Sequence, residues 1–314
     1  MAGGRAMNAL ARSAEDYLAM RRGVGYALRQ EGRMLAGFVG YLADRGIAHV
    51  TIEAALGWAT APAHASPTWW SKRLAVVRGF AAYLKTLDED TEIPPKGLLS
   101  SRTSRTTPYL FSPAEIAALM GAARRLPSPL RAATFEALIG LMAVTGLRTG
   151  EAMALDRADV DLANGVLTIW RSKLGKSRQV PLHPSATAAL TRYTARRDKL
   201  WPHATTSSFL LSGAGTRLNH TNASTTFAGL LDDAGIPTPP GRHRPRLYDL
   251  RHSFAVATLI DWHAEGADVQ ARLPVLSTWM GHVKPSSTYW YLHAAPELLA
   301  VTALRLERYL GEQP

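Results

Sequence analysis

Five widely separated side chains have the types needed to break a phosphodiester without a metal. Arg148 lies in Thr145-Gly146-Leu147-Arg148-Thr149-Gly150-Glu151, and Lys173 in Ser172-Lys173-Leu174-Gly175-Lys176-Ser177-Arg178. Arg251 lies in Tyr248-Asp249-Leu250-Arg251-His252, His282 follows Met280-Gly281, and Tyr291 stands nine residues beyond it. A guanidinium is always charged and grips two oxygens of one phosphate in a planar fork. An ammonium and an imidazole add donors, and a phenol oxygen can attack phosphorus. Such a set needs no metal and no organic cofactor, and none is expected here. Singly, each residue says little, because turn arginines are usually solvated and tyrosines usually pack. Glu151, one helical turn beyond Arg148, is placed to orient it, and it also suits the positive end of a helix dipole.

These residues must be positioned by a chain of 314 residues, long enough for two domains. Lys and Arg total 36 against 25 Asp and Glu, a net charge of +11, which points to a polyanionic partner. There is no cysteine, which removes disulfides, thiolate zinc sites and cysteine nucleophiles together. The start of the chain lacks the apolar core of a signal peptide. The longest apolar run, near Leu138 to Leu147, is about half of what a membrane span needs. No membrane partner is expected, and a cytoplasmic location fits. Scattered His and Asp argue against a two-metal nuclease.

The fold class expected is mainly α with a small β-sheet. Residues 1–95 read as a helical domain, with Leu28, Leu35, Phe38, Val39 and Leu42 at helical spacing and Gly46 closing that helix. Thr51 caps a short helix, and Trp69 to Leu87 forms another amphipathic one. Residues 96–110 form the linker, rich in Ser, Thr and Arg. A second domain, 111–314, opens with Ser112-Pro113-Ala114-Glu115, a capping box with proline at the first helical position. Val166 to Trp170 and Gln179 to Leu182 read as paired strands, with Leu174 to Ser177 as their turn. Helices are expected near 184–200, 219–235, 247–263, 273–281 and 296–310.

Basic clusters offer DNA backbone contacts: Arg21 and Arg22, Lys72 and Arg73, Arg102 and Arg105 in the linker, Lys176 and Arg178 at the hairpin, and Arg242, Arg244 and Arg246 before Arg251. The competing meaning of each is a solvated face, and the net charge tips the balance toward DNA.

The five motifs, in this order, resemble the tyrosine recombinase (phage integrase) family. Lys173 to Leu182 fits its Lys-x-x-Lys-x-Arg-x-x-Pro-Leu pattern, and Asp249 to Phe254 fits its second arginine motif. Thr288-x-x-Tyr291-x-His293 fits its ending, which prefers Tyr291 over Tyr289 as nucleophile. The resemblance implies a helical core-binding (SAM-like) domain followed by a mixed α/β catalytic domain. It implies site-specific recombination through a 3′-phosphotyrosyl intermediate, with Arg148, Arg251 and His282 holding the phosphate and Lys173 as general acid. Implied partners are double-stranded DNA carrying a recombination site, a homo-tetramer on two duplexes built from free monomers or dimers, and an accessory protein as an optional helper. The tail helix is then a candidate for exchange between subunits, and a further N-terminal arm-binding module is not expected. Two departures stand out. Met280 takes the place of leucine, and Tyr248 stands where most members have a histidine thought to assist proton removal. With an ordinary pKa of about 10, a phenol is a poor base, so Tyr248 is read as positioning the phosphate. His252 is expected to point elsewhere on its helix, as a packed or capping residue. The alternatives are a type IB topoisomerase, with nearly the same cage, and a noncatalytic DNA-binding accessory protein.

Overall fold

The computed structural model describes residues 2–26, 28–99, 107–170, 177–282, 284 and 286–294. Lys173, Lys176, Arg102, Arg105 and the expected tail helix lie outside them. The chain divides into two compact units, Met1–Arg105 and Thr106–Pro314.

The first unit is built from α1 (Ala2–Gly23), α2 (Arg29–Asp44), α3 (Ile52–Thr60) and α4 (Pro67–Leu84). Thr51 caps α3 by accepting from the Ala54 N–H, and Ser66 caps α4 by accepting from the Trp69 N–H, ahead of a proline at the first position. Leu35, Phe38 and Leu42 of α2 are buried with Ala55, Val77, Phe80 and Ala81, the α2 and α4 stripes read from the spacing. The stretch after α4 is pinned to this unit. Arg78 donates to the carbonyls of Pro94 and Pro95, the Glu92 N–H donates to Val50 O, and Leu99 packs on the same core.

The second unit contains α5 (Pro113–Arg124), α6 (Pro129–Thr145), α7 (Thr149–Ala154), strands β1 (Val160–Asp161), β2 (Val166–Ile169) and β3 (Arg178–Pro181), then α8 (Pro184–Leu200), α9 (His220–Asp233), α10 (Asp249–Ala264), α11 (Val269–Met280) and α12 (Ser286–Ala294). The strands form one antiparallel sheet in the order β1-β2-β3, with Leu167 opposite Val180 and Ile169 opposite Arg178. The capping box of α5 is present, Ser112 and Glu115 each serving the other's backbone N–H. Helix α6 is the hub, with Leu138, Ile139 and Met142 wholly buried and α5, α8 and α10 packed on it.

Two helices differ from expectation. Asp268 caps α11 by accepting from the Ala271 N–H, so α11 begins at Val269 rather than near residue 273. Helix α12, which carries Tyr291, was not expected. Its core-facing residues, Thr288 and Tyr291, lie one turn apart, too short a stripe for a periodic signal to emerge. Among the described residues, no helix is long and apolar enough to cross a membrane.

Candidate active site

The end of α11 organises the site. The last carbonyls of a helix lack intrahelical donors and carry the negative end of its dipole. Here three consecutive carbonyls each receive a different guanidinium. Arg178 Nε donates to Trp279 O at 2.7 Å, Arg251 Nη2 to Met280 O at 2.7 Å, and Arg148 Nη2 to Gly281 O at 2.6 Å. Gly281 makes this possible. Its φ is +66°, in the left-handed region, and a Cβ there would lie 2.7 Å from Arg178 Nη1.

Each arginine comes from its own element. Helix α6 ends at Gly146, also left-handed with φ +62°, where a Cβ would strike the Phe254 ring. Arg148 then caps α7, and Glu151 reaches back to accept from the Arg148 N–H at 3.0 Å. The Glu151 carboxylate also accepts from Arg148 Nη1 at 2.6 Å and from Arg178 Nη1 and Nη2 at 3.1 and 2.8 Å. Burial pushes this carboxyl upward, but Arg178 and then Arg148 overcome it, and it stays below its ordinary value. Glu151 therefore orients Arg148, the task the sequence suggested, and holds Arg178 as well.

The basic cluster at the hairpin places Arg178 among the DNA backbone contacts. Instead its side chain is buried between Glu151 and Trp279 O. The signal was present in the strand period, because Arg178 is two residues from buried Val180 and shares its face.

Arg251 is fully buried. Besides Met280 O, it donates from Nη1 to Gly146 O at 2.6 Å, and its Nη2 lies 2.9 Å from His282 Nε2. Its buried Nε has no hydrogen-bond partner. Burial lowers its proton affinity, a cost offset in part by the neighbouring Tyr291. His282 is pinned on its other side, with Nδ1 2.7 Å from Oγ1 of buried Thr288. Burial, then Arg251, Arg148 and Arg178, bring its pKa down to about 4. It is neutral at pH 7, so its Nε2 accepts from Arg251 and its Nδ1–H donates to Thr288. Thr288, which the Thr288-x-x-Tyr291 ending marks without giving it a task, holds the His282 ring in place.

Tyr291 is 2 % exposed, whereas Tyr289 is 41 % exposed. The Tyr291 ring stacks near His282, with centroids 6.2 Å apart. Burial pushes its phenol up to about 12, against the pull of Arg251. His252 departs from expectation. It does not point away, because its Nδ1 lies 3.2 Å from the Tyr291 hydroxyl. Burial, then Arg251 and Arg246, lower its pKa to about 4. Tyr248 is 38 % exposed and presents its ring edgewise to His252, with centroids 5.0 Å apart.

The remaining basic candidates fall into two groups. Arg73 is half-buried, with Nη2 2.5 Å from Trp58 O and its guanidinium over the Trp58 ring, which makes it part of the first unit's packing. Arg21 lies over the Tyr26 ring, and Arg244 is engaged with Ala228 O and Asp232. Arg246 pairs with buried Asp249. Arg22, Lys72 and Arg242 are exposed, with Lys72 reaching Gln30.

The site thus brings three guanidiniums, one carboxylate, two neutral imidazoles and a phenol to the end of α11, an arrangement suited to a phosphate and an attacking tyrosine. Comparison with known proteins agrees. Residues 110–297 match the phage integrase family. A Sinorhizobium fredii protein assigned by name to the integrases/recombinases, y4rB, is 42 % identical over 96 % of this chain and 98 % of its own. Tyrosine recombinase XerC of Roseiflexus is 28 % identical over 71 % of this chain and 67 % of its own. Among solved structures, the XerH recombinase bound to palindromic difH in a post-cleavage complex has a TM-score of 0.64 at 19 % identity, covering 88 % of this chain and 79 % of its own. The Tn1549 transposon integrase with circular-intermediate DNA has the same TM-score at 16 % identity, covering 94 % and 99 %. These likenesses to solved structures are likenesses of fold. With the matched family spanning the whole cage and a full-length relative at 42 % identity, this chain belongs to the phage integrase family and is a site-specific tyrosine recombinase, a DNA breaking and rejoining enzyme.

Proposed function

We propose that Tyr291 is the nucleophile, that Arg148 and Arg251 bind the scissile phosphate, and that His282, whose Nε2 accepts from Arg251 before substrate binds, becomes a third donor when the phosphate's charge draws a proton onto it. The observation that carries this is the Tyr291 hydroxyl, buried beside fully buried Arg251, whose Nε has no partner of its own. A phosphodiester entering the site supplies the missing acceptor. Guanidiniums already held at the site need little reorganisation as charge develops on the phosphorane. The Tyr291 oxygen bonds to phosphorus, and the 5′ oxygen leaves with a proton, for which Lys173 is the candidate donor. The 3′-phosphotyrosyl bond conserves the energy, and a 5′ hydroxyl from a partner strand reverses the step without ATP. Tyr248 lies at the rim and serves positioning.

Double-stranded DNA is the substrate in this reading, supported by the net charge and by the DNA-bound relatives XerH and Tn1549 integrase. Exposed Arg22, Lys72 and Arg242 are the proposed backbone contacts. Assembly is a homo-tetramer on two duplexes in the cytoplasm, and the product is an integrated, excised or transposed segment.

Covalent trapping tests the assignment. Nicked duplexes tiled across the DNA flanking the gene are incubated with wild type, Tyr291→Phe and Tyr289→Phe, then run on denaturing gels. An adduct lost only in Tyr291→Phe is expected. An adduct lost only in Tyr289→Phe, or DNA bound tightly with no adduct, refutes the assignment.

A further inference from the structure

We propose that His252 is a catalytic residue, the proton acceptor for Tyr291, taking the task left open where Tyr248 replaces a histidine. This rests on Tyr291 being the nucleophile. The geometry is direct, since Nδ1 is 3.2 Å from the phenol oxygen. A general base must lie within hydrogen-bond reach of the proton it removes, and such contacts tighten when substrate binds. Tyr248 meets His252 ring edge to ring and is more exposed, which leaves the imidazole between it and the nucleophile.

The direction of the hydrogen bond follows from the charges. Arg251 faces the Tyr291 oxygen and favours its lone pairs. The phenolic proton therefore points to the neutral imidazole, whose Nδ1 accepts while Nε2 carries the ring proton. The groups acting on His252 are Arg251 beside it on α10, Arg246 before α10, Tyr248 at its start and Tyr291 from α12, and His282 feels it in turn. Burial, and then the two arginines, suppress protonation before substrate binds, so the base is kept free. A bound phosphodiester brings negative charge among the same groups and raises the imidazole's proton affinity when it is needed. As the oxygen–phosphorus bond forms, the Tyr291 proton moves to His252 Nδ1, and the 5′ oxygen leaves with a proton from the other side. In the rejoining step the imidazolium returns its proton to the departing phenol oxygen, so the cycle closes with no net proton gained.

The test compares His252→Asn and His252→Gln with wild type and Tyr291→Phe on the nicked duplexes, reading adduct formation rate against pH and DNA affinity separately. Asparagine places an amide oxygen near the position of Nδ1, so it accepts the hydrogen bond without taking the proton. Both variants are expected to bind DNA as wild type does and to form adduct roughly a hundredfold more slowly at neutral pH. Their rates should rise steeply with alkali, where hydroxide substitutes for the base, over a range in which wild type is flat. A substrate with sulfur in place of the leaving 5′ oxygen, which departs without a proton, should not rescue them. A wild-type rate and pH profile in His252→Asn overturns the proposal and leaves a positioning role, and rescue by the sulfur substrate overturns it by placing His252 at the leaving group. An adduct that survives Tyr291→Phe removes the nucleophile assignment itself. Loss of DNA binding is resolved by the alkaline arm, since a misfolded variant gains nothing from hydroxide, and flat inactivity there also counts against the proposal.

Discussion

Replacing Glu151 by glutamine should cost the second unit more stability than any exposed substitution in this protein. The carboxylate accepts four hydrogen bonds, two from Arg148 and two from Arg178. Each oxygen serves one donor from each arginine. An amide NH₂ in either orientation therefore faces two donors, and at least two charge-assisted bonds are lost. At about 1.5–3 kcal/mol for each such bond, the loss is about 3–6 kcal/mol, overlapping the range of about 3–5 kcal/mol seen when one partner of a buried ion pair is removed. The pair is well shielded, with side-chain exposures of 10 % for Glu151 and 9 % for Arg178, so solvent screening reduces this little. For a unit of this size each kcal/mol moves the melting midpoint by roughly 2–4 °C, so the unit's transition should fall by about 10 °C. Calorimetry of the whole chain, resolving the two units' transitions, measures it. The double variant Glu151→Gln/Arg178→Met should recover part of the loss, because much of it is the penalty of a stranded cation. The pH dependence has a fixed sign. Glu151 sits below its ordinary value of 4.5, so its stabilisation is present above that value and is lost as pH falls through the folded one, a loss Glu151→Gln does not undergo. A midpoint within about 2 °C of wild type would refute the buried-pair reasoning.

Gly281→Ala forces a Cβ to 2.7 Å from Arg178 Nη1 at a φ of +66°. It should cost about 2 kcal/mol and abolish adduct formation, since His282 and all three anchored arginines shift together. Thr288→Val leaves the His282 Nδ1–H without its acceptor and should cost about 1–3 kcal/mol, with slower adduct formation but unchanged DNA affinity. His252 and His282, both at about 4 against an ordinary 6.5, bind more protons when unfolded. Their stabilisation is complete above 6.5 and is lost as pH falls toward 4, so denaturant melts of His282→Asn should show a flatter acid limb than wild type. Arg73→Met should lower the first unit's melting transition through lost packing on Trp58. Arg242→Ala should leave melting alone and reduce the salt slope of DNA binding by about one.

What the sequence could disclose depended on how local the cause was. The caps at Thr51 and Ser112 and the apolar stripe of α2 are set by neighbours a few residues away, and they were legible. Arg148, Arg251, His282 and Tyr291 were recognisable through motif order alone, and the structure draws all four around one helix end. Their grouping rests on contacts more than a hundred residues apart, such as Arg148 with Gly281 and Arg251 with Gly146. Local periodicity is silent about such contacts. The hidden residues share one cause. Arg178 looked like a surface cation because basic residues surround it in sequence, yet the inward face of β3 directs it to Glu151. His252 looked irrelevant because successive helix residues point about 100° apart, so a side chain next to Arg251 should face away from it. That inference is geometrically sound. It fails because α10 is packed by α6, α11 and α12, so no turn of it near the site faces only solvent. Turning away from Arg251's carbonyl anchors on this helix means turning toward α12, where Tyr291 waits. A residue adjacent to a candidate catalytic position on a centrally packed helix is therefore a candidate for the same site's other wall, and the contact to look for is with the next element packed against that helix.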